Sequence, residues 1–565
     1  MKKSNKYIVT AALPYANGPI HIGHLAGVYL PADIFVRFLK RKNRDVIFIC
    51  GSDEHGVPIA IQAKKEKKKP KDIVNKYHYL IKNCFINFGI QFDNYSRTST
   101  KIHYKISTSF FKKLYDKEKL LEKFSKQYYD QETKQFLADR YISGICPHCK
   151  KKEAYGDQCE NCGISLIPED LISPKSTISG NIPILKKTKH WYLPLNKYQN
   201  FLEKWILVNH KKDWKVNVYG QAKSWLDKGL KPRAITRDLN WGVPVPISKT
   251  KGKVLYVWFD APIGYISSTI EWSKRKKIDW KFYWKDKETK LIQFIGKDNI
   301  VFHCIIFPVI LKAYNNGYIL PDKILANEFL NLENKKISTS KNWAVWVHEY
   351  LKDFPNQQDT LRYILIANMP ETKDNNFNWK DFQKKSNTEL VAILGNFVNR
   401  SLTLVQRHNN GIVPNPGILS KKDKSILNKI KNYPKYIGDL IESYKFRESL
   451  SGFMDLARIG NKYLTEEEPW KKKKEKRLDA IIYVSLQIVA MLAQLAEPFL
   501  PHTAIKLLDM LHLKPFFWKK IKNIEKILCP GHLLGKSTFL FKKITNESIE
   551  YQIKKLEKMQ KKTFL

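Results

Sequence analysis

Tyr7-Ile8-Val9-Thr10-Ala11-Ala12-Leu13-Pro14-Tyr15-Ala16-Asn17-Gly18-Pro19-Ile20-His21-Ile22-Gly23-His24 decides how this chain is read. Ile8 to Leu13 is an apolar run of strand length and composition, and Pro14 to Pro19 is turn chemistry. His21-Ile22-Gly23-His24 then leads into Leu25 to Leu39, where apolar residues recur at helical spacing. A strand, a tight turn and a helix start make an anion site, because unpaired backbone N–H groups and the helix dipole face the ligand. Two imidazoles one turn apart can bind phosphate oxygens as these gain charge. Gly23 leaves room for a base or ribose against the backbone.

The complement lies some three hundred residues on. Lys336-Ile337-Ser338-Thr339-Ser340-Lys341 offers two ammonium groups and three hydroxyls on one loop, a polyphosphate clamp. Alone, a His-x-Gly-His is a common surface pattern and a Lys/Ser/Thr loop is usually a solvated turn. Strand, turn, motif, helix and distant basic loop in this order indicate ATP α-phosphate chemistry.

The 565 residues allow several domains and a large core. With 43% hydrophobic and 27% charged residues the composition is that of an ordinary globular protein. A formal net charge of +45 points to a polyanionic partner, although abundant Lys, Ile and Asn with little Arg also fit a biased codon supply. Met1 to Lys6 runs straight into the first strand and carries no secretory signal. The most membrane-like run, Ala480 to Ala496, is interrupted by Ser485, Gln487 and Gln494, so it reads as a buried helix.

Strands and helices alternate over residues 1–115. The second apolar strand, Asp45 to Cys50, closes on Gly51-Ser52-Asp53-Glu54-His55-Gly56, where ligands of open α/β sheets bind. Residues 116–235 break the alternation and read as an insertion. The α/β pattern returns over 236–325 with Leu291 to Gly296 and a helical run to Tyr314. Residues 326–385 hold the phosphate loop, and 386–565 are helical, with a solvated helix end expected over Lys554 to Lys562. The fold expected is a Rossmann-type doubly wound α/β domain with an insertion, followed by an all-α bundle.

Inside the insertion, Cys146-Pro147-His148-Cys149 and Cys159-Glu160-Asn161-Cys162 form two CxxC knuckles nine residues apart. Four thiolates suit one tetrahedral Zn²⁺, which leaves no position for water and makes the site structural. Cys50, Cys84, Cys304 and Cys529 are scattered, as in a reducing cytoplasm.

Taken together, the stretch Ala11 to His24, Phe48 to Gly56, the cysteine knuckle, Tyr256-Val257-Trp258-Phe259-Asp260-Ala261-Pro262-Ile263-Gly264-Tyr265, Gly296-Lys297-Asp298-Asn299, His303 and Lys336 to Lys341 resemble the methionyl-tRNA synthetases, a family of class I aminoacyl-tRNA synthetases. The resemblance runs in order from residue 5 to about 475. It implies methionine activation by ATP, transfer to the 3′ end of elongator and initiator methionine tRNA, and Mg²⁺ carried with ATP. It implies catalytic roles for His21, His24, Lys336 and Lys341. ATP would meet Pro14, His21, Gly23, His24, Gly296, Asp298, Lys336, Ser338, Thr339 and Ser340. Methionine would lie among Leu13, Tyr15, Asp53, Arg237, Trp258, Pro262, Tyr265 and His303, with Asp53 on the ammonium and polarisable walls around the thioether.

The family's usual loop is Lys-Met-Ser-Lys-Ser, so this chain lacks the second lysine. Its role passes to Lys341 or to the Thr339 hydroxyl. In the helical region Asn396, Arg400 and Trp470 resemble anticodon-reading positions, with Lys471 to Lys474 beside them. Many members add a dimerising tRNA-binding domain, for which a chain ending at Leu565 leaves no room, so a monomer without membrane attachment is expected. Synthetases for isoleucine, valine and leucine carry a large editing domain, and the insertion here is too short for one. A cysteine enzyme would need an open zinc site. A non-catalytic synthetase-derived RNA-binding protein is the remaining alternative, supported only by the altered loop.

Overall fold

The structure is a computed structural model. It describes residues 6–561 apart from positions 138, 157, 158, 160, 163, 165, 249, 340, 473–475, 524 and 525. Among the described residues, five parallel strands form the main sheet: β1 (Lys6–Ala11), β2 (Asp45–Ser52), β3 (Asn94–Arg97), β4 (Lys290–Gly296) and β5 (Lys323–Asn327), in the order β5-β4-β1-β2-β3. β1 and β2 are apolar and β-branched, as strands covered on both faces must be. The chain leaves β1 toward β2 on one side and returns to β4 on the other. The switch point therefore lies between β1 and β4, and a crevice opens beyond their carboxyl ends.

The helices that place the site are α1 (Ile22–Arg41), α2 (Lys101–Asp116) and α3 (Val257–Lys276). Within α1 the turn Leu25–Tyr29 widens just before Pro31, which has no N–H to extend an α-helical ladder. The insertion between β3 and β4 is built on a long antiparallel ribbon, Leu121–Asp130 with Ile184–Leu193. A small three-stranded sheet carries the cysteines at its tip.

From Trp379 onward the chain is mainly helical, a few residues earlier than the break expected at 386. The helices used below are α4 (Asn396–Asn409), α5 (Phe446–Glu467), α6 (Lys476–Leu495) and α7 (Asn546–Lys561). Both α1 and α6 are long and apolar enough to cross a membrane, but 83% and 94% of their most apolar windows are buried in the protein. α6 is the core helix of the bundle.

The expected solvated helix end over Lys554 to Lys562 holds at Lys554, Glu557 and Lys558, which are exposed, and is corrected at Lys555 and Leu556, while Lys562 lies outside the described residues. Lys555 reaches Glu349 and Asp353, both at 2.8 Å, Gln552 donates to Asp353, and Leu556 is buried.

α1 joins the two halves of the molecule. The buried Asp33 carboxylate accepts from Arg37 at 2.9 Å and from Arg362 at 2.7 Å. One turn further, Arg41 reaches Glu497 and the carbonyls of Gln494 and Phe516. The helix that begins at His21-Ile22-Gly23-His24 is thus pinned at its far end to the bundle.

Candidate active site

The two phosphate motifs meet. Ile22 N–H donates to the Val345 carbonyl at 3.1 Å and Val347 N–H to the Ile20 carbonyl at 3.0 Å, so 20–22 and 345–347 pair as short antiparallel strands. The phosphate loop folds back as a hairpin in which Ser338 and Trp343 exchange both backbone hydrogen bonds at 3.0 Å. Ile337 lies 3.2 Å, and the His21 ring 3.0 Å, from where a Cβ on Gly23 would stand. The Cβ direction of Gly23 is therefore taken up by protein atoms. Thr339 lies over Gly18 in the same way, at 3.5 Å. Ser340 lies outside the described residues.

His21 caps α1. Its Nδ1 accepts from Gly23 N–H and the His24 Nδ1 accepts from His21 N–H, both at 3.1 Å, with the two rings stacked at 3.8 Å. An imidazole that accepts at Nδ1 carries its proton at Nε2. Withdrawal from water holds His21 well below the usual imidazole value, with the neighbouring His24 adding to the effect, and brings His24 to about 4. Near neutral pH both are therefore uncharged Nε2–H donors.

Lys336 is exposed, with its ammonium 5.3 Å from the centre of the Phe329 ring. Lys297 covers the same ring at 4.1 Å and is tied to Glu328 and Asp374, each at 2.8 Å. Lys341, also exposed, is fixed through its backbone N–H to Ser338 Oγ. Beyond β4, Asp298 folds back over Gly296 so closely that a Cβ there would stand 2.5 Å from its carboxylate and push that side chain aside.

An apolar slot lies beside these groups. The Tyr265 hydroxyl donates to His303 Nε2 at 2.9 Å, while His303 Nδ1–H donates to the Asn299 carbonyl at 2.9 Å. Burial brings His303 to about 4, which keeps it neutral as an acceptor for Tyr265. The Leu13 side chain rests on α3 at Gly264, where a Cβ would be 3.1 Å away. Pro262 is one turn before Tyr265 on that helix, and Trp258 opens it, edge-on to Phe302 at 4.5 Å.

Tyr15, 40% exposed, borders an open cleft together with Trp258. The Asp53 backbone pairs with this turn, through Asp53 N–H to Pro14 O and Ala16 N–H to Asp53 O, both 2.9 Å. Its carboxyl is buried. Burial, then the nearby Asp260 charge, hold it well above the ordinary carboxyl value.

Arg237 is set back from the slot: its guanidinium stacks on Tyr256 at 3.7 Å, and Tyr256 in turn neighbours Trp258. Sequence reasoning missed Arg233, which covers Trp258 directly at 5.3 Å, and gave no role to Asp260 or His103, which form a buried knot behind Asp53. Asp260 stood inside the quoted Tyr256 to Tyr265 motif, but nothing local pointed to His103.

At the tip of the insertion the four sulfurs of Cys146, Cys149, Cys159 and Cys162 lie within 4.8 Å of one another, with separations of 3.9 Å for Cys146–Cys162 and 3.6 Å for Cys149–Cys159. A tetrahedron of Zn–S bonds about 2.3 Å long has edges of about 3.8 Å, so the donor set fits a metal. Backbone N–H groups of Lys151 and Ile164 point at Cys149 and Cys162. In the bundle, Arg400 on α4 stacks on Trp470 at 4.5 Å. Asn396 is exposed one turn before Arg400, and Lys471 pairs with Glu468. Lys473 and Lys474 lie outside the described residues.

A nucleotide crevice at the sheet's switch point, bounded by joined HxGH and lysine loops, defines a class I aminoacyl-tRNA synthetase. The family model for class I tRNA synthetases (M) matches residues 7–402, and that for the anticodon binding domain of methionyl tRNA ligase matches residues 413–560. The methionine–tRNA ligase of Christiangramia forsetii is 59% identical over 564 residues, covering 98% of this chain and 82% of that protein. The enzyme of Flavobacterium psychrophilum is 57% identical, covering 99% and 82%. The structure of Mycobacterium tuberculosis methionyl-tRNA synthetase in complex with methionyl-adenylate shares the fold, with a TM-score of 0.78 at 23% identity over 95% of this chain and 99% of that one. The chain belongs to the methionine–tRNA ligase family.

Proposed function

We propose that this cleft joins L-methionine to ATP and passes the methionyl group to the 3′ end of methionine tRNA, initiator and elongator alike. The observation that carries the reading is the backbone junction of His21 with Trp346, which joins the two phosphate motifs. Leu13, Tyr265 and His303 would line the methionine slot.

The thioether fills that slot between Trp258, Pro262 and Tyr15, and Asp53 holds the ammonium, with Arg233 and Arg237 bracing the aromatic wall. The methionine carboxylate attacks the α-phosphorus in line, a P–O bond forms, and the bond to pyrophosphate breaks. His21 and His24 donate Nε2–H to the phosphate oxygens as charge builds, the electrostatic term that dominates such sites. Lys336 neutralises the polyphosphate, joined by Lys341 or Thr339 in place of the absent second lysine, and by Ser338 and Ser340. Mg²⁺ enters with ATP. Pro14, Gly23, Gly296 and Asp298 receive the nucleoside. The terminal ribose hydroxyl of tRNA then attacks the adenylate carbonyl and AMP leaves, so no protein nucleophile takes part.

Cys146, Cys149, Cys159 and Cys162 would hold one structural Zn²⁺ that orders the insertion. Asn396, Arg400 and Trp470 would read the anticodon. Residues 1–115 and 236–325 make the catalytic core, 116–235 the insertion, 326–385 the phosphate-loop region and 386–565 the anticodon-binding domain of a cytoplasmic monomer. Pyrophosphate exchange by the purified protein tests the reading. Methionine-dependent exchange is expected, and silence with every amino acid would leave only an RNA-binding role.

A further inference from the structure

Behind the slot a single carboxylate ties three elements together. Asp260, on α3 between Trp258 and Pro262, is fully buried. Its Oδ2 accepts from His55 Nδ1–H at 2.5 Å, and its Oδ1 accepts from His103 Nε2–H at 2.6 Å and from Ser107 Oγ–H at 2.9 Å. His55 is itself buried, packs against Tyr104 and Trp241, and receives the Tyr104 hydroxyl at Nε2. His103 is buried and receives the Ser267 hydroxyl at Nδ1. His55 stands two residues after Asp53 and turns its N–H toward the Asp53 carboxylate at 3.4 Å. The hydrogen bonds close on one another with N···O distances near 2.5 Å, which leaves no space for a metal among them.

A buried charge held by three donors from other elements is costly to leave unpaired, so the arrangement resists rearrangement. Its two ends are the groups that the proposed reading assigns to opposite ends of methionine. We propose that Asp260 is a positioning residue for methionine: through His55 it locks the Asp53 loop to α3, and so sets the spacing between the ammonium-binding carboxylate and the thioether slot. The inference rests on the assignment of Asp53, Trp258 and Tyr265 to methionine.

Charge supports the geometry. Asp260 is a cause of the raised Asp53 value, second to burial. The groups facing this region are His55 and His103 on Asp260, Tyr104 on His55, and Glu54, which is paired with Arg97 and lies 3.7 Å from His78. Both causes favour the protonated form of Asp53, so methionine capture should weaken toward acid pH.

The test is Asp260→Asn in methionine-dependent pyrophosphate exchange on the full chain. The KM for methionine should rise at least tenfold while that for ATP stays within twofold, and the acid limb of kcat/KM for methionine should move to lower pH as the charge is lost. Equal changes in both KM values, or an unmoved acid limb, would overturn the proposal by making Asp260 a general core residue. His103→Gln is judged by the same KM criterion if Asp260→Asn does not fold. Wild-type protein without methionine-dependent exchange would instead overturn the functional reading beneath it.

Discussion

Gly23 donates its backbone N–H to Nδ1 of His21 at 3.1 Å, and this one bond decides which ring nitrogen stays available as a donor. With Nδ1 occupied, only the Nε2–H is presented outward. His21→Ala removes one preorganised donor. Adenylate formation should then slow about 100-fold or more, the scale of losing an oxyanion-type donor. Rapid-quench or exchange kinetics would check it, with the KM for methionine unchanged. Near-normal rates would show that the ring only caps α1.

Lys336→Ala should give a loss of similar order through a different parameter. Lys336 is exposed on its loop, and if it meets the polyphosphate as proposed, the KM for ATP should rise along with the fall in kcat. Comparing Thr339→Val with Lys341→Ala then separates the candidates for the missing second lysine, since only the residue that touches ATP should change that KM.

Stability should depend on acid in a defined window. His24 and His303 sit at about 4 in the folded protein, against about 6.5 in an unfolded chain. Between those values the unfolded state binds more protons, so stability rises with pH there and is lost as pH falls from about 6.5 to 4. Denaturant midpoints should rise from pH 4.5 through 5.5 to 7. His303→Gln should flatten the slope, and an unchanged slope would place the titration elsewhere.

Metal analysis should return one Zn²⁺ per chain, with no exchangeable water on it. Cys149→Ser breaks a donor set whose ligation contributes folding free energy, so the insertion should lose protease resistance. tRNA charging should suffer more than pyrophosphate exchange. A protein with no bound metal and full charging would refute the structural role.

Trp470 is 49% exposed and carries Arg400 on its face, an arrangement no core residue adopts. Stacking of a splayed base on an aromatic contributes roughly 1–3 kcal/mol. Trp470→Ala should therefore cost about tenfold to a hundredfold in tRNA charging and leave exchange intact, and tRNA affinity should fall steeply with salt. Equal loss in both assays would assign Trp470 to packing.

The elements that were legible in the sequence are those whose signal is local. Tyr7 to His24 declares strand, turn and helix within eighteen residues, and each CxxC pair declares a knuckle. What escaped was encoded by tertiary contact. Asp260 finds His103 across 157 residues, and Arg362 finds Asp33 across 329, with no periodicity to link either pair. The Lys/Glu tail misled for the same reason. Its composition is that of a solvated helix, but Lys555 lands between Glu349 and Asp353, and Leu556 is carried inward with it. Nor does the sequence show that Ile337 returns to pack beside Gly23.

The strand order also imposes a timetable on biosynthesis. β1 emerges first from the ribosome yet lies at the centre of the sheet, and its neighbour β4 follows far behind: Thr10 and Gln293, hydrogen-bonded in the finished sheet, are 283 residues apart. At about 5–20 residues per second that gap lasts roughly 15–60 s, while helix formation takes microseconds or less. During that interval β1 and β2 can pair, but the edge of β1 that will receive β4 stays open, an apolar template for any other nascent strand. The nascent chain is most vulnerable to misassembly while the long insertion is being made, and a chaperone that shields this edge would act before residue 290 has been translated.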